Sequence, residues 1–267
     1  MILKTNAIVL QIRQWSKTSH MVTWLTEDYG RVTTAVKGAC RPKSAFLGQY
    51  DLFYSCEILF YRKCSNGVHA IRECYPLEFR EELRSNWRGA AAAGYITNMT
   101  ARVTAGQDTK GIYDDLLHAL DTLCECETRS IESLIFWFEL RLLRHHGISP
   151  QFGTCAECHP TEQEWLRFSI PAGRFICSHL HETHSNTPSV SLHKDVVTFL
   201  RRFAKCDKFI ARHYTPILAS KNKNEKKINL ILGLSRFLGI FIVYHLDLPA
   251  SVRRTTFEIL NTNPASL

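Results

Sequence analysis

The residues with the sharpest chemical spacing lie past the middle of the chain. Cys155 and Cys158 stand as C-x2-C, Cys177 follows after 18 residues, and His179, His181 and His184 come just beyond. Two thiolates so spaced can be presented by one turn to a tetrahedral ion, and a second knuckle must complete the ligands. Cys177 is the expected third ligand and His181, at C-x3-H, the expected fourth. His184 is the next choice, and His179, with a single residue between it and the cysteine, is cramped. The ion this chemistry suits is zinc in a closed structural site, which stabilises a small lobe and performs no catalysis.

A second chemistry is carried by charge. The chain from Gly30 reads GRVTTAVKGACRPKSAFLGQYDLF, with no acid between Gly30 and Gln49. Val32, Thr34 and Val36 alternate with Arg31, Thr33, Ala35 and Lys37, which predicts a half-buried strand with a cationic outer face. It breaks at Gly38 into a loop carrying Arg41, Pro42, Lys43 and Ser44. Cations with flat rings nearby suit a polyanion that bears bases. Arg13, Lys17, Arg31, Lys37, Arg41 and Lys43 are the candidate phosphate contacts. Trp15 and Phe46 are the candidate stacking rings, because most other rings of this region, such as Trp24 and Tyr54, must fill a small barrel. The plain alternative is a solvated strand edge, where lysines deter aggregation.

Catalytic signatures are missing from the chain. It has no G-x-x-x-x-G-K-[ST] phosphate loop, no G-x-G-x-x-G, no H-E-x-x-H and no G-x-S-x-G elbow. The acids between 81 and 150 read as helix-surface residues, and no paired-carboxylate nuclease site stands out. His145 and His146, beside Gly147, are expected to cap a helix, where a protonated imidazole complements the dipole. The remaining cysteines read as core or neutral surface thiols. A non-enzymatic protein is expected.

The elements that must position these residues follow from pattern. Apolar content of 45% over 267 residues is ample for real cores. The net charge of +8 divides as +5 over 1–80, −3 over 81–150 and +6 over 151–267, which favours a polyanion over a small acidic metabolite. The opening MILKTNAIVLQIR is broken by Lys4 and Asn6 and alternates as a strand does, so a reduced, cytoplasmic protein is expected rather than a secreted one. The apolar run 228–248 is interrupted by Asn229, Ser235, Arg236, His245 and Asp247, and reads as a core helix with no membrane role.

Strand patterns fall at 5–13, 21–26, from Gly30, at 50–60 and at 68–75, where Pro76 ends the run. Five short strands without a long helix predict a barrel of OB type, with an SH3-like barrel as the competitor. Helical patterns follow at 78–105, 108–126 and 130–145, a hairpin at 165–175, then helices at 192–205, 207–218 and 228–246 and a short one past Pro249. The expected fold class is α+β: an OB-type barrel over 1–80, a helical bundle over 81–150, a zinc-finger-like insertion over 151–190, and a helical part over 191–267 packing on 81–150. A DNA-binding protein, an RNA-binding OB protein of the translation apparatus and a structural adaptor all remain compatible with these residues.

With these residues laid out, the chain resembles the RecO family of bacterial recombination mediators. The likeness runs through AIVLQIRQWSKTSHMVTWLTEDYGRVTTAVKGACRPKS, FELRLLRHHGISPQFGTCAEC and SRFLGIFIVYHLDLP, in the family's order. It implies an amino-terminal OB domain, a helical body and a zinc-binding insertion. It also implies binding of single- and double-stranded DNA, annealing of complementary strands, and help to RecR in loading RecA on DNA coated with single-stranded DNA-binding protein. The family's basic strand and loop map onto Arg31, Lys37, Arg41 and Lys43, and a groove for the acidic, hydrophobic tail of the single-strand binding protein is implied in the helical part. Metal-binding members carry a second C-x2-C, and here Leu180 stands where its last cysteine would be.

Overall fold

The structure, a computed structural model, describes residues 1–63, 67–104, 109–153, 164–176, 188–210 and 230–262. It divides into two compact units, Met1–Cys126 and Glu127–Leu267.

The first unit opens with β1 (Ile2–Ser16), β2 (Ser19–Thr26), β3 (Gly30–Val36), β4 (Ser55–Tyr61) and β5 (Val68–Glu78). They close into a barrel of order β1-β2-β3-β5-β4. β1 pairs with β4 antiparallel and β3 with β5 parallel. This is the OB-type closure, not the SH3-like alternative. Alternation sends Val9, Val22, Trp24, Val32, Ile58 and Phe60 inward. The Trp24 indole N–H donates to Thr34 Oγ1 at 2.8 Å, so the largest ring of the core buries no unpaired donor.

Two strand limits differ from the sequence pattern. β5 does not stop at Pro76 but runs to Glu78, because a register shift between Ser55 and Cys56 on β4 makes a bulge that tolerates the missing amide proton. Residues 50–54 are not strand. Tyr54 N–H donates to Asp51 O, Phe53 takes φ 71°, and the segment bonds back to Val9 of β1.

Helices α1 (Glu82–Ser85), α2 (Trp87–Val103) and α3 (Lys110–Glu125) complete this unit. The residues expected as one bundle over 81–150 are divided between the two units at Cys126, and buried polar ties hold the helices of the first unit to the barrel. Arg80 donates to Phe53 O at 2.6 Å and Ser55 Oγ at 3.0 Å on the barrel, and to Asp121 Oδ1 of α3 at 2.7 Å. Its side chain is nearly inaccessible, while Asp121 is half in solvent, which lowers the cost of enclosing the pair.

The second unit is built on α4 (Ile131–His145), buried on almost every side. α4 ends at Gly147, φ 69°, whose amide donates to Arg144 O while that of Ile148 donates to Leu143 O, the paired bonds of a glycine stop. Burial, then the charge of His145, lowers the pKa of His146, so His146 is not the cationic cap the sequence suggests.

Strands β6 (Trp165–Ser169), β7 (Arg174–Phe175) and β8 (Ser189–His193) form an antiparallel sheet of order β7-β6-β8. The hairpin is as expected, but β8 occupies residues just before and into the predicted helix, which begins as α5 (Lys194–Ala204). Phe168 of β6 is fully buried and meets Phe237 of α6 (Leu230–Leu246) edge-on at 5.1 Å. The described strands of the expected insertion are therefore part of this unit's core. Of 81–150, α4 is the helix on which α5 and α6 pack. α7 (Ala250–Asn261) supplies Arg253, which grips Glu139 of α4 at 2.7 and 3.1 Å. Most of the helix expected at 207–218 lies outside the described residues.

Candidate nucleic-acid interface

The β1–β2 turn and the loop after β3 meet at one end of the barrel because their backbones are stitched together. Gly38 N–H donates to Ser19 Oγ at 3.2 Å, and Cys40 N–H donates to Thr18 O at 3.1 Å. Gly38 has φ 72°, a conformation that glycine adopts without strain, and a Cβ there would meet Arg41 Cδ at 3.4 Å. The loop then continues as successive turns, with Arg41 N–H to Gly38 O, Ser44 N–H to Arg41 O and Leu47 N–H to Ser44 O. It is a built surface on which side chains have fixed starting points.

Between the two segments lies an open recess of about 570 Å³, lined among others by Trp15, Lys37 and Arg41 and by no acidic residue. Trp15 is 53% exposed, so its ring has a free face. Lys17, exposed, sits in the adjoining turn. Arg13 pairs across the sheet with Met21, and Met21 with Ala35, which places Arg13 in the row two positions before Lys37. Lys43 is exposed farther along the loop. Cations grouped without nearby acids hold a positive field, and a free indole face can take a base.

Two of the sequence-predicted residues are placed otherwise. Arg31 lies at the far end of β3, about 20 Å of strand from Lys37 at the usual rise per residue. Its guanidinium donates to Ala101 O, in the last turn of α2, where a cation complements the helix dipole. Phe46 packs partly buried against the barrel core and is a plug more than a platform.

Arg31 also borders a second recess with Arg62 and His69, shared with the acids Glu27 and Asp28. Burial, then Arg62 and Lys63, lowers the pKa of His69, so its ring is neutral at pH 7. Arg62 and Lys63 bring two more cations close to His69, and their adjacency in the sequence is the signal that marks them. One contact arises only on folding, with no signal in the sequence: His20 lies between Cys40 and Tyr50.

The candidate zinc ligands Cys155, Cys158, Cys177 and His181, with the alternatives His179 and His184, lie outside the described residues. Among the described residues, no group of three or more His, Cys, Asp or Glu side chains could hold a metal ion. The flanking chain is described: Gln151 forms a parallel bridge with Arg174, and Gln151 N–H donates to Gly173 O at 2.7 Å. Likewise, no described helix is long and apolar enough to cross a membrane.

A closed OB-type barrel with a cationic, ring-edged recess, followed by a helical unit, defines the class: an OB-fold protein with a helical body. The family model described as Recombination protein O N terminal matches residues 1–80, and that described as Recombination protein O C terminal matches residues 84–212. A protein of Alkaliphilus metalliredigens named DNA repair protein RecO is 29% identical over 250 residues, covering 92% of this chain and 95% of that protein. Proteins of the same name from Bacillus cereus and Bacillus anthracis are 26% identical over 249 residues, covering 91% of this chain and 94% of their own length. The chain belongs to the RecO family.

Proposed function

We propose that the protein acts in DNA repair and recombination as a non-enzymatic, cytoplasmic mediator. It binds single- and double-stranded DNA, anneals complementary strands, and works with RecR to load RecA on DNA covered by single-stranded DNA-binding protein. The observation that carries the reading is the acid-free recess of Trp15, Lys37 and Arg41 on a closed OB barrel. Cations there neutralise phosphates of approaching strands, and base pairing supplies the driving force, so no nucleotide hydrolysis is needed. Gel-shift and annealing assays over a series of salt concentrations test it. DNA binding with a steep salt dependence and faster annealing are expected, and preference for RNA oligonucleotides without annealing would overturn it.

For the protein partner, an open groove between α6 and α7 has room for the apolar side chains of a peptide, with Arg254 as the cation an acidic tail would have to draw from Glu258. Leu232, Val243 and Phe257 line it, with Arg253 and Arg254 beside the acids Glu132 and Glu258, and Arg254 lies 3.9 Å from Glu258. A fluorescent peptide with the acidic, hydrophobic tail of the single-strand binding protein should lose affinity in Arg254→Glu, and equal affinity would move the site.

Cys155, Cys158, Cys177 and His181 are the residues that would hold a structural zinc ion. The Gln151–Arg174 bridge supports this, since the chain departs toward Cys155 and toward Cys177 from neighbouring positions. The ion would supply cross-linking of a small lobe. Elemental analysis should find zinc in the purified protein and not in Cys155→Ser, and zinc absent from both would remove the assignment.

A further inference from the structure

A cluster of titratable and nucleophilic side chains sits beside the recess. Cys40 is exposed on the loop between Lys37 and Arg41. Its sulfur is 3.2 Å from His20 Nε2, and His20 Nδ1 is 2.8 Å from Tyr50 Oη. Tyr50 stands edge-on to His20 and to Trp24, with ring centroids at 6.0 and 5.9 Å, so the phenol is held by the core. Burial, then Cys40 and Cys74, raises the pKa of Tyr50, which keeps its proton. When His20 is neutral and its Nδ1–H donates to Tyr50 Oη, the Nε2 lone pair faces the thiol. That tautomer is the one a base needs to take a cysteine proton. The backbone fixes the partners: His20 pairs with Val36 across β2 and β3, and the Cys40 amide is bonded to Thr18 O.

We propose that Cys40 is a site of thiol–disulfide exchange, with His20 as its base and Tyr50 as the group that orients His20, and that it takes an anionic low-molecular-weight disulfide. His20 Nε2 removes the thiol proton, and the Cys40 thiolate attacks one sulfur of the disulfide. A new S–S bond forms as the old one breaks, and the leaving thiolate takes the proton from the imidazolium. The protein sulfur is oxidised, the leaving half is reduced, and the disulfide is the oxidant. Charged groups around Cys40 favour an anionic reagent: Lys37 and Arg41 come from its own loop and Lys17 from the turn its amide meets. An anionic adduct at this position cancels part of the recess's charge. That consequence rests on the proposed DNA interface, whereas the exchange itself does not.

The test uses the full-length protein and glutathione disulfide, with modification of the Cys40 peptide followed by mass spectrometry. Near pH 6.5, His20→Asn should slow modification of Cys40 about tenfold, since fewer thiolates form and only part of that loss is offset by higher intrinsic reactivity. Modification of Cys206 in the same molecules should not change. Tyr50→Phe, which keeps the ring and loses the hydroxyl, should slow Cys40 about threefold, an effect that follows from loosening the base. Equal Cys40 rates in the folded His20→Asn protein and the unaltered one overturn the proposal. If that variant does not fold, an unchanged rate in Tyr50→Phe overturns it instead. Rates as expected, with oligonucleotide affinity unaltered by the adduct, support the thiol site and count against the recess as the DNA interface, so the two failures are distinct.

Discussion

Arg31 and Arg41 belong to the same acid-free stretch of sequence, yet they border recesses of opposite character. Arg41 shares its recess with Lys37 and Trp15 and with no acid. Arg31 shares its own with Arg62 but also with Glu27 and Asp28, and its guanidinium is bound to the α2 carbonyl of Ala101. Both recesses hold cations, but only the first holds them uncompensated. The difference teaches that one run of positive residues can be left uncompensated at one end of a barrel and partnered by carboxylates and a helix end at the other.

The largest effect is expected at a cation that is mostly enclosed and held by a fully buried acid. Glu139 is 0% exposed and paired to Arg253, so Glu139→Ala leaves a buried guanidinium without its anion and should cost about 3–5 kcal/mol. Chemical denaturation measures this, and a loss below about 1 kcal/mol would mean that water reaches Arg253. At the open recess, Trp15→Ala should lose about 1–3 kcal/mol of single-strand affinity with folding unaffected, since base stacking on one ring is of that size. Titration by fluorescence anisotropy reads it directly.

Replacing Lys37, Arg41 and Lys43 together by alanine should flatten the log–log dependence of single-strand affinity on salt by about 0.7 per lost contact. An unchanged slope would place the DNA path elsewhere on the molecule. The smallest change is expected from Arg31→Ala: the same salt slope, and a loss of about 0.5–1 kcal/mol in stability from the uncapped end of α2. A slope that falls as much as for Lys37 would erase the distinction between the recesses.

Much of the barrel was legible because its strands alternate cleanly around short turns, and the loop of Lys37 and Arg41 could be read from charge alone. The helices were legible from periodicity, with Gly147 as a stop. What could not be read depends on contacts distant in sequence. Arg31 looks like Lys37 until α2 supplies the Ala101 carbonyl, and Phe46 looks like a stacking ring until the core claims it. Arg80 carries no pattern that shows it tying the barrel to Asp121, 41 positions away. The same holds for His20 and Cys40, 20 positions apart, and for the strand at Ser189–His193, whose partner is the β6 edge.

Among the described residues, the parallel ladder between β3 and β5 pairs Thr33↔Val68, Thr34↔His69 and Ala35↔Ala70. A cylinder unzips along its shortest seam. Thermal breathing of the barrel should begin there, with the amides of these residues exchanging with solvent before those of the long β1–β2 hairpin. Each such opening turns a closed wall into a sheet with two raw edges, the kind of surface on which strands of two molecules can pair.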